Sequence, residues 1–230
     1  MYYKATRPDG TSFADGETRW VVGEVTSLAE DERRTTLCNA GVLHASLEAG
    51  ESLVGGWWPC RLFEVEPLGK VITSPGHPHK VGAHEWRVIR ELPAWMALGP
   101  NGEAVADLIE RARHLTVDEI RRLDAAWVAA RDAAWVAAWD PARVAARVAA
   151  RDAAWEAAWE AAREAARAAT WDDARVAARV AARVAARVAA IALVVRDLIT
   201  PEQFDLLYGP WASVMEGEVA VAGAVATGKE

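Results

Sequence analysis

Residues 127–190 repeat in blocks of four, and this repeat constrains the possible folds of the chain more than any other feature. The first position of every block is Trp or Arg, the second is Val or an acidic residue except at Ala168, and most of the remaining positions are Ala. Alanine is the strongest helix former and the repeat contains no Gly, so the pattern predicts α-helix. One straight helix of this length would approach roughly 100 Å, at about 1.5 Å per residue.

A period of four residues predicts how such a helix packs. Each block advances about 400° around the axis, so a row of equivalent residues drifts by about 40° per block and winds right-handedly. This row is also the i±4 ridge that helices use to interdigitate, and its alanines allow a close approach. The period therefore favours packing against a similar helix, in the same chain or in a second copy.

The charges of the repeat favour the same interpretation. An acidic row would face a basic row in such a pair, which removes the cost of like charges four residues apart. The acidic row is Asp152, Glu156, Glu160 and Glu164. The predicted interaction residues are Trp127, Arg131, Trp135, Trp139, Arg151, Trp155, Trp159, Arg163, Trp171, Arg175, Arg179, Arg183 and Arg187. Low-complexity expansion without a partner, and binding of nucleic acid or an anionic membrane by the arginine-only segment, are the alternatives.

Two positions predict interruptions of the helix. Asp140-Pro141 is a typical N-cap and first-turn pair, and proline inside a helix costs about 3 kcal/mol. Residues 170–173 form a weaker start signal. Because no Gly-containing loop is present to turn the chain, we expect kinks rather than hairpins.

The rest of the chain predicts an α+β protein, with a small antiparallel β-rich head before the long Ala-rich helical region. Segments 2–6, 18–25, 61–66, 69–72 and 85–92 combine β-branched or aromatic residues with polar ones, and turn formers separate them. Asn101 and Thr116 predict helix starts, and Thr200 begins another capping box. The predicted divisions are a head at 1–97, connecting helices at 98–126, the repeat at 127–198, an amphipathic helix at 199–216 and a disordered tail at 217–230.

Composition limits the class of protein. The net charge of −7 argues against a chain that coats nucleic acid. No apolar run is long enough to cross a bilayer and no signal sequence opens the chain, so we expect a soluble, cytoplasmic protein. The two cysteines, Cys38 and Cys60, are expected to be reduced.

Residues with recognisable chemistry are few. His77, His79 and His84 with Cys60 match no strong zinc pattern, so we interpret them as loop histidines and predict no metal and no cofactor. His44 follows an apolar run, which favours a buried, hydrogen-bonded histidine. No nucleophile elbow, P-loop, GxGxxG or HExxH motif occurs in the sequence.

The head nevertheless carries a recognisable order of motifs. YYKATRPDG, LCNAGVLHAS, CRLFEVEPLGKVI and HKVGAHEWRVIREL follow one another within residues 1–93, and Cys38, Gly41 and His44 lie in the second of them. This order resembles an uncharacterised domain family common in phages and actinobacteria, whose members carry variable low-complexity repeat tails. The resemblance implies a phage or prophage origin and no particular reaction.

The sequence therefore favours a non-enzymatic scaffold that binds itself or a host protein through the repeat. One enzymatic alternative is kept, because the strand, the G-x-x-H turn and the next strand resemble the ADP-ribosyltransferase core. That resemblance implies an NAD-binding head in which His44 acts with Glu64 or Glu91, and Tyr3 or Arg7 lies on the first strand.

Overall fold

The structure, a computed structural model, describes residues 1–134, 138–148 and 173–215, with side chains over 1–130, 138–145 and 184–215. The chain divides into two compact units, a head unit Met1–Glu103 and a helical unit that begins at Ala104. Each unit has its own secondary structure, the head a β-sheet and the second unit α-helices.

The head unit is built on one six-stranded antiparallel sheet, curled into a half-barrel. The strands are β1 (Tyr2–Thr6), β2 (Val25–Ser27), β3 (Leu43–Ser46), β4 (Arg61–Pro67), β5 (Lys80–Ala83) and β6 (Glu85–Leu92). Their order across the sheet is β2-β6-β4-β1-β3-β5. Short 3₁₀ turns cover Glu30–Glu32, Ala49–Glu51 and Ala94–Leu98.

Alternation of apolar and polar residues places the core of the head on one face of this sheet. In β6, Trp86 and Val88 are buried while Arg87 and Ile89 are exposed, as expected for a strand with one solvated face. The Trp86 indole N–H donates to the carbonyl oxygen of Leu43 at 3.0 Å, so its one polar atom is satisfied inside the core.

Two of the predicted strands were wrong, and turns explain both. Residues 18–25 do not form one strand, because Gly23 has a φ of 85° and the chain turns there before β2. Residues 69–72 contribute only an isolated bridge from Ile72 to Gly82. Strands β3 and β5 were not predicted from the sequence, because both are short and β5 contains a glycine.

Gly82 is required in β5 by close packing. A Cβ atom at this position would lie 2.2 Å from Cγ1 of Val42, although the backbone needs no left-handed conformation. Gly82 is also the cross-strand partner of His44 in β3. The glycine therefore allows the two strands to pair beside the Val42 side chain.

The structure describes five α-helices, which belong mainly to the second unit. They are α1 (Gly102–Arg113), α2 (Val117–Ala134), α3 (Asp140–Val148), α4 (Asp173–Val194) and α5 (Pro201–Met215). The first two residues of α1 belong to the head unit. Both predicted capping boxes are confirmed. The Glu119 N–H donates to Oγ1 of Thr116 at 3.3 Å, and the Gln203 N–H donates to Oγ1 of Thr200 at the same distance.

The predicted long Ala-rich helical region with right-handed packing was wrong. Helices α2 and α4 contact each other and both contact α5, while α3 contacts α4, so the chain folds back on itself. Kinks were expected in place of such reversals. A π-helical turn at Ala138 and Trp139 directly precedes α3, which begins at the predicted interruption Asp140-Pro141.

Burial of apolar surface explains why the repeat folds back. Trp127 and Trp139 are buried with about 4% exposure, and the α4 residues 188–194 are also buried. A single extended helix would leave these side chains in water, at a cost of about 25 cal/mol per Å² of apolar surface. The described side chains do not include the acidic row, the tail at 217–230, or the predicted interaction residues Arg175, Arg179 and Arg183.

Candidate functional site

The sheet of the head opens between β1 and β3. These strands share one registered pair, Tyr3 opposite Ser46, whereas β1 and β4 share five. Antiparallel geometry would next place Lys4 opposite Ala45 and Ala5 opposite His44. All four of these residues instead line a cavity.

The cavity has a volume of about 500 Å³ and combines apolar walls with a few polar groups. Phe13 and Val54 contribute apolar surface, and Lys4, His44, Glu51 and Lys80 contribute polar groups. This volume lies in the range of about 300–1,000 Å³ that small-molecule sites occupy. Every lining residue belongs to the head unit.

His44 is held as a neutral imidazole at the wall of this cavity. Its Nε2 accepts a hydrogen bond from the backbone N–H of Cys38 at 3.0 Å, which assigns the ring proton to Nδ1. The pKa of His44 is lowered from 6.5 to about 4, mainly by burial and in smaller part by the positive charges of Lys80, Lys4 and His77.

Lys4 carries an amine whose charge the cavity disfavours. The pKa of Lys4 is lowered from 10.5 to about 8, because the effect of burial, with a smaller contribution from the Lys80 charge, exceeds the opposing effect of Asp15. Its Nζ lies 4.9 Å from the centre of the Trp20 ring, a cation–π contact that partly compensates the protonated form. The amine is therefore close to its titration midpoint near pH 8.

Glu51 provides an acceptor with unused capacity. Its side chain is only 10% exposed, and one carboxylate oxygen, Oε1, lies 2.6 Å from Nδ1 of His79. The other oxygen, Oε2, is buried and has no hydrogen-bond partner among the described residues. Burial raises the pKa of this carboxyl, His79 opposes the increase, and Glu48 adds to it. Buried polar atoms without partners are rare in folded proteins and commonly receive a ligand or a water.

Cys38 lies at the same cavity with an unusual backbone. It is the only non-glycine residue with positive φ in the described part of the chain, at 64°. Lys80 Nζ donates to Cys38 Sγ at 3.5 Å. Cys38 is exposed and Cys60 is buried, and both are free thiols.

The two glutamates proposed for an ADP-ribosyltransferase site do not line the cavity with His44. Glu64 accepts a hydrogen bond from Arg90 Nε at 2.6 Å, and Glu91 forms a bidentate pair with Arg61 at 2.8 and 2.6 Å. Tyr3 and Arg7 also lie outside the lining. Arg7 contacts the Trp57 ring at 5.3 Å, and the Tyr3 hydroxyl donates to Met1 Sδ at 3.1 Å.

The candidate metal residues are divided between different surroundings. His77 and His79 line the cavity, whereas His84 Nε2 lies 2.6 Å from the carbonyl oxygen of Arg34. Burial raises the pKa of the Cys60 thiol to about 12, which disfavours the thiolate that binds metals. In the described part of the chain, no three His, Cys, Asp or Glu residues are placed to hold a metal ion.

Three of the predicted interaction residues have described side chains, and they contact groups within their own unit. Trp127 and Trp139 are buried, and the Arg187 guanidinium lies 5.8 Å from the centre of the Trp139 ring. The other ten lie beyond the described side chains: Arg131, Trp135, Arg151, Trp155, Trp159, Arg163, Trp171, Arg175, Arg179 and Arg183.

Sequence reasoning missed the charged residues of the cavity. Lys4 could have been identified from the sequence, because Tyr2, Lys4 and Thr6 occupy alternate positions of a predicted strand and therefore lie on one face. A lysine on the same strand face as inward-pointing residues is unusual in a structural strand. Glu51 and Lys80 give no comparable local signal.

Comparison with known proteins assigns no family to this chain. No protein-family model, curated protein or solved structure matches it. Over the described residues, no helix combines the length and apolarity needed to span a membrane. The candidate site therefore depends on the geometry of the head cavity alone.

Proposed function

We propose that the head unit binds a small organic anion in the cavity between β1 and β3. Lys4 and Lys80 supply positive charge to the anionic group, and Phe13 and Val54 supply apolar contact to the organic part. His44, as a neutral imidazole with its proton on Nδ1, offers one further hydrogen-bond donor.

The observation that carries this proposal is the placement of two lysines in one cavity. The Lys4 and Lys80 charges each lower the pKa of His44, and Lys80 also lowers that of Lys4, so the two lysines repel each other and His44 within the lining. Asp15, which does not line the cavity, offsets part of the Lys4 charge. A bound anion would remove this repulsion, since an opposite charge nearby favours the protonated lysine. The one acidic lining residue, Glu51, is already paired with His79.

Glu51 also suggests a feature of the ligand beyond its charge. Its unpartnered Oε2 offers an acceptor to a hydroxyl or amino group on the bound molecule. Leaving a buried acceptor unpaired costs about 1–3 kcal/mol, so a ligand that donates to it gains affinity. The favoured ligand class is therefore an organic carboxylate or phosphate with an additional hydrogen-bond donor.

Calorimetric titration with phenyl phosphate tests the proposal. This probe has an apolar ring and a dianionic group but no reactive carbonyl, and we expect saturable binding at one site that weakens as salt is added. The Lys80→Met variant should bind at least tenfold more weakly. Lys70→Met is the matched control, because Lys70 is exposed and lies outside the cavity. Absence of binding at millimolar phenyl phosphate, or equal affinity in Lys80→Met, would contradict the proposal.

Self-association through the repeat stays a prediction from the sequence. Burial of Trp127 and Trp139 within one chain weakens one argument for it, namely the cost of exposing tryptophans. The ADP-ribosyltransferase-like alternative is supported by the position of His44 in a cavity, but Glu64 and Glu91 are paired with arginines elsewhere. The head cavity is accordingly the best-supported functional site.

A further inference from the structure

Lys4 combines features that the binding of an anion alone does not require. It lies within β1, where Phe63 of β4 is its registered neighbour, so the backbone that carries the amine is fixed by the sheet. Its Nζ contacts the Trp20 ring and forms no salt bridge within the described part of the chain. Asp15 acts on the charge of Lys4 without forming a salt bridge to it. A fixed amine at the wall of a cavity, with no salt-bridge partner among the described residues, is arranged to react with a bound molecule.

We propose that Lys4 forms an imine with the carbonyl carbon of an anionic aldehyde or ketone held in this cavity. This inference rests on the proposed function, because Lys80 and the rest of the cationic lining would hold the anionic group of the same molecule. The ligand class becomes an organic carboxylate or phosphate that also carries a carbonyl group.

The reaction balances without an added oxidant or reductant. The lone pair of the neutral Lys4 Nζ attacks the carbonyl carbon, and the carbonyl oxygen takes up a proton to give a carbinolamine. Loss of the hydroxyl group with a second proton from nitrogen releases one water and leaves the C=N bond. The carbonyl carbon keeps its oxidation state, because its two bonds to oxygen are replaced by two bonds to nitrogen.

The environment of Lys4 favours the reactive, unprotonated amine. At pH 7.5 an amine with a pKa of about 8 is about one quarter unprotonated, roughly 200 times the fraction of an ordinary lysine. The gain in rate is smaller than this ratio, because intrinsic nucleophilicity falls as the pKa falls. Lysines activated by burial and by a neighbouring cation are typical of imine-forming sites.

Lys80 is assigned the role of binding the anionic group of the ligand. Its Nζ donates to Cys38 Sγ at 3.5 Å, at the edge of the cavity where β5 begins. Lys4 and Lys80 are both partly buried, but the Lys4 amine contacts the Trp20 ring, whereas the Lys80 amine contacts the exposed Cys38 thiol. In this proposal Lys80 is the cation that binds the anionic group, and Lys4 is the nucleophile that attacks the carbonyl carbon.

Reductive trapping with 4-formylphenyl phosphate tests the inference directly. This probe is the aldehyde counterpart of phenyl phosphate, and cyanoborohydride converts its imine into a stable amine that peptide mapping can locate. The chain has four lysines, Lys4, Lys70, Lys80 and Lys229, so each can be followed separately. We expect at least tenfold faster labelling of Lys4 than of Lys70 or Lys229, and slower labelling when phenyl phosphate is added as a competitor.

Variants and pH provide the controls. Lys4→Arg keeps a positive charge and should lose the fast adduct, whereas Lys70→Arg should label like the wild type. At probe concentrations well below saturation, the rate at Lys4 should rise with pH and level off above about pH 8, following the pKa of the amine in the unliganded protein. Mapping of the wild-type chain decides the matter even if Lys4→Arg fails to fold.

The outcomes separate this inference from the proposed function. Equal labelling of all four lysines, with phenyl phosphate still bound, overturns the imine and leaves anion binding intact. Fast labelling confined to Lys80 also overturns the assignment of Lys4. If neither probe binds or reacts at the cavity, both proposals are wrong.

Discussion

The backbone N–H of Cys38 donates a hydrogen bond to Nε2 of His44 across 3.0 Å. Cys38 reaches this position with a φ of 64°, a left-handed conformation that costs a non-glycine residue about 1 kcal/mol or more. The bond fixes the ring of His44 and its tautomer at the wall of the cavity. A protonated His44 would have to lose this acceptor, so the contact holds the imidazole neutral.

The pH dependence of stability should report His44. Its pKa is lowered in the folded protein, from 6.5 to about 4, so the unfolded chain binds more protons between these values. Stability should therefore fall as the pH is lowered from 6.5 to 4, by up to about 3 kcal/mol from this group. His44→Gln, which retains an acceptor for the Cys38 N–H, should lose that component.

Urea unfolding at pH 7 and pH 4 measures this effect as a difference between variants. The comparison with wild type removes the contributions of the carboxyl groups, which titrate in both proteins. His114→Gln is the control, because this histidine directly follows α1 with a side chain that is 71% exposed, and the variant should behave like the wild type. If His44→Gln lost as much stability between pH 7 and pH 4 as the wild type, the claim that His44 is neutral in the folded protein would be wrong.

Removal of Lys4 should stabilise the protein. The pKa of Lys4 is lowered from 10.5 in the unfolded chain to about 8 in the folded protein, so the charged amine destabilises the fold at neutral pH. This destabilisation disappears as the pH rises from 8 to above 10.5, because the amine then loses its proton first in the folded and then in the unfolded state. Lys4→Met should increase the free energy of unfolding at pH 7 by up to about 3 kcal/mol. The gain is reduced by the stabilisation that the cation–π contact with Trp20 provides in the wild type.

Chemical denaturation at pH 7 and pH 10 checks this prediction. The advantage of Lys4→Met should shrink at the higher pH, where the wild-type amine is neutral in the folded state. Lys70→Met should show neither effect. A Lys4→Met protein that is less stable than the wild type at pH 7 would show that Lys4 supports the fold rather than a ligand.

Gly82 should be intolerant of the smallest side chain. The added methyl group of Gly82→Ala would meet Val42 Cγ1 at 2.2 Å, so β3 and β5 must shift apart. We expect a loss of about 1–3 kcal/mol in unfolding free energy. Gly76→Ala is the control, because its nearest neighbour atom is Ser74 Oγ at 3.9 Å. Thermal melting of the two variants distinguishes them, and an equal melting temperature would refute the close packing.

The tryptophans of the repeat should act within one chain. Trp139→Ala empties a buried site and should destabilise the helical unit by about 3–5 kcal/mol, whereas Arg187→Ala should cost about 0.5–1 kcal/mol. Circular dichroism melts give the stabilities, and light scattering gives the mass. A drop in mass without a loss of helix stability in Trp139→Ala would instead favour assembly through this residue.

Local signals in the sequence predicted three of the six strands and the starts of the helices at Thr116 and Thr200. Strands β1, β4 and β6 follow alternating patterns, and Thr116 and Thr200 mark helix starts through hydrogen bonds three residues away. The reversal of the repeat could not be predicted in this way. Its blocks offer the same alanine-rich surface along their length, so helix propensity does not show which segments pack together.

The cavity was equally hard to predict, because it depends on contacts between distant parts of the chain. Lys4 on β1 and Lys80 on β5 meet only after β3 pairs with both strands. His44 could be identified as a hydrogen-bonded histidine, but its partner is the backbone of Cys38 and gives no signal in the sequence.

Proton uptake on binding of phenyl phosphate tests the central claim most directly. An anion beside Lys4 raises the pKa of this amine from about 8, so at pH 8 binding should take up about half a proton, while the phosphate itself remains ionised. Calorimetric titration in two buffers of different ionisation enthalpy measures this number. Uptake of about half a proton in the wild type, and none in Lys4→Met, is the result we predict. Binding without proton uptake, or no binding at all, would contradict an anion site built around Lys4.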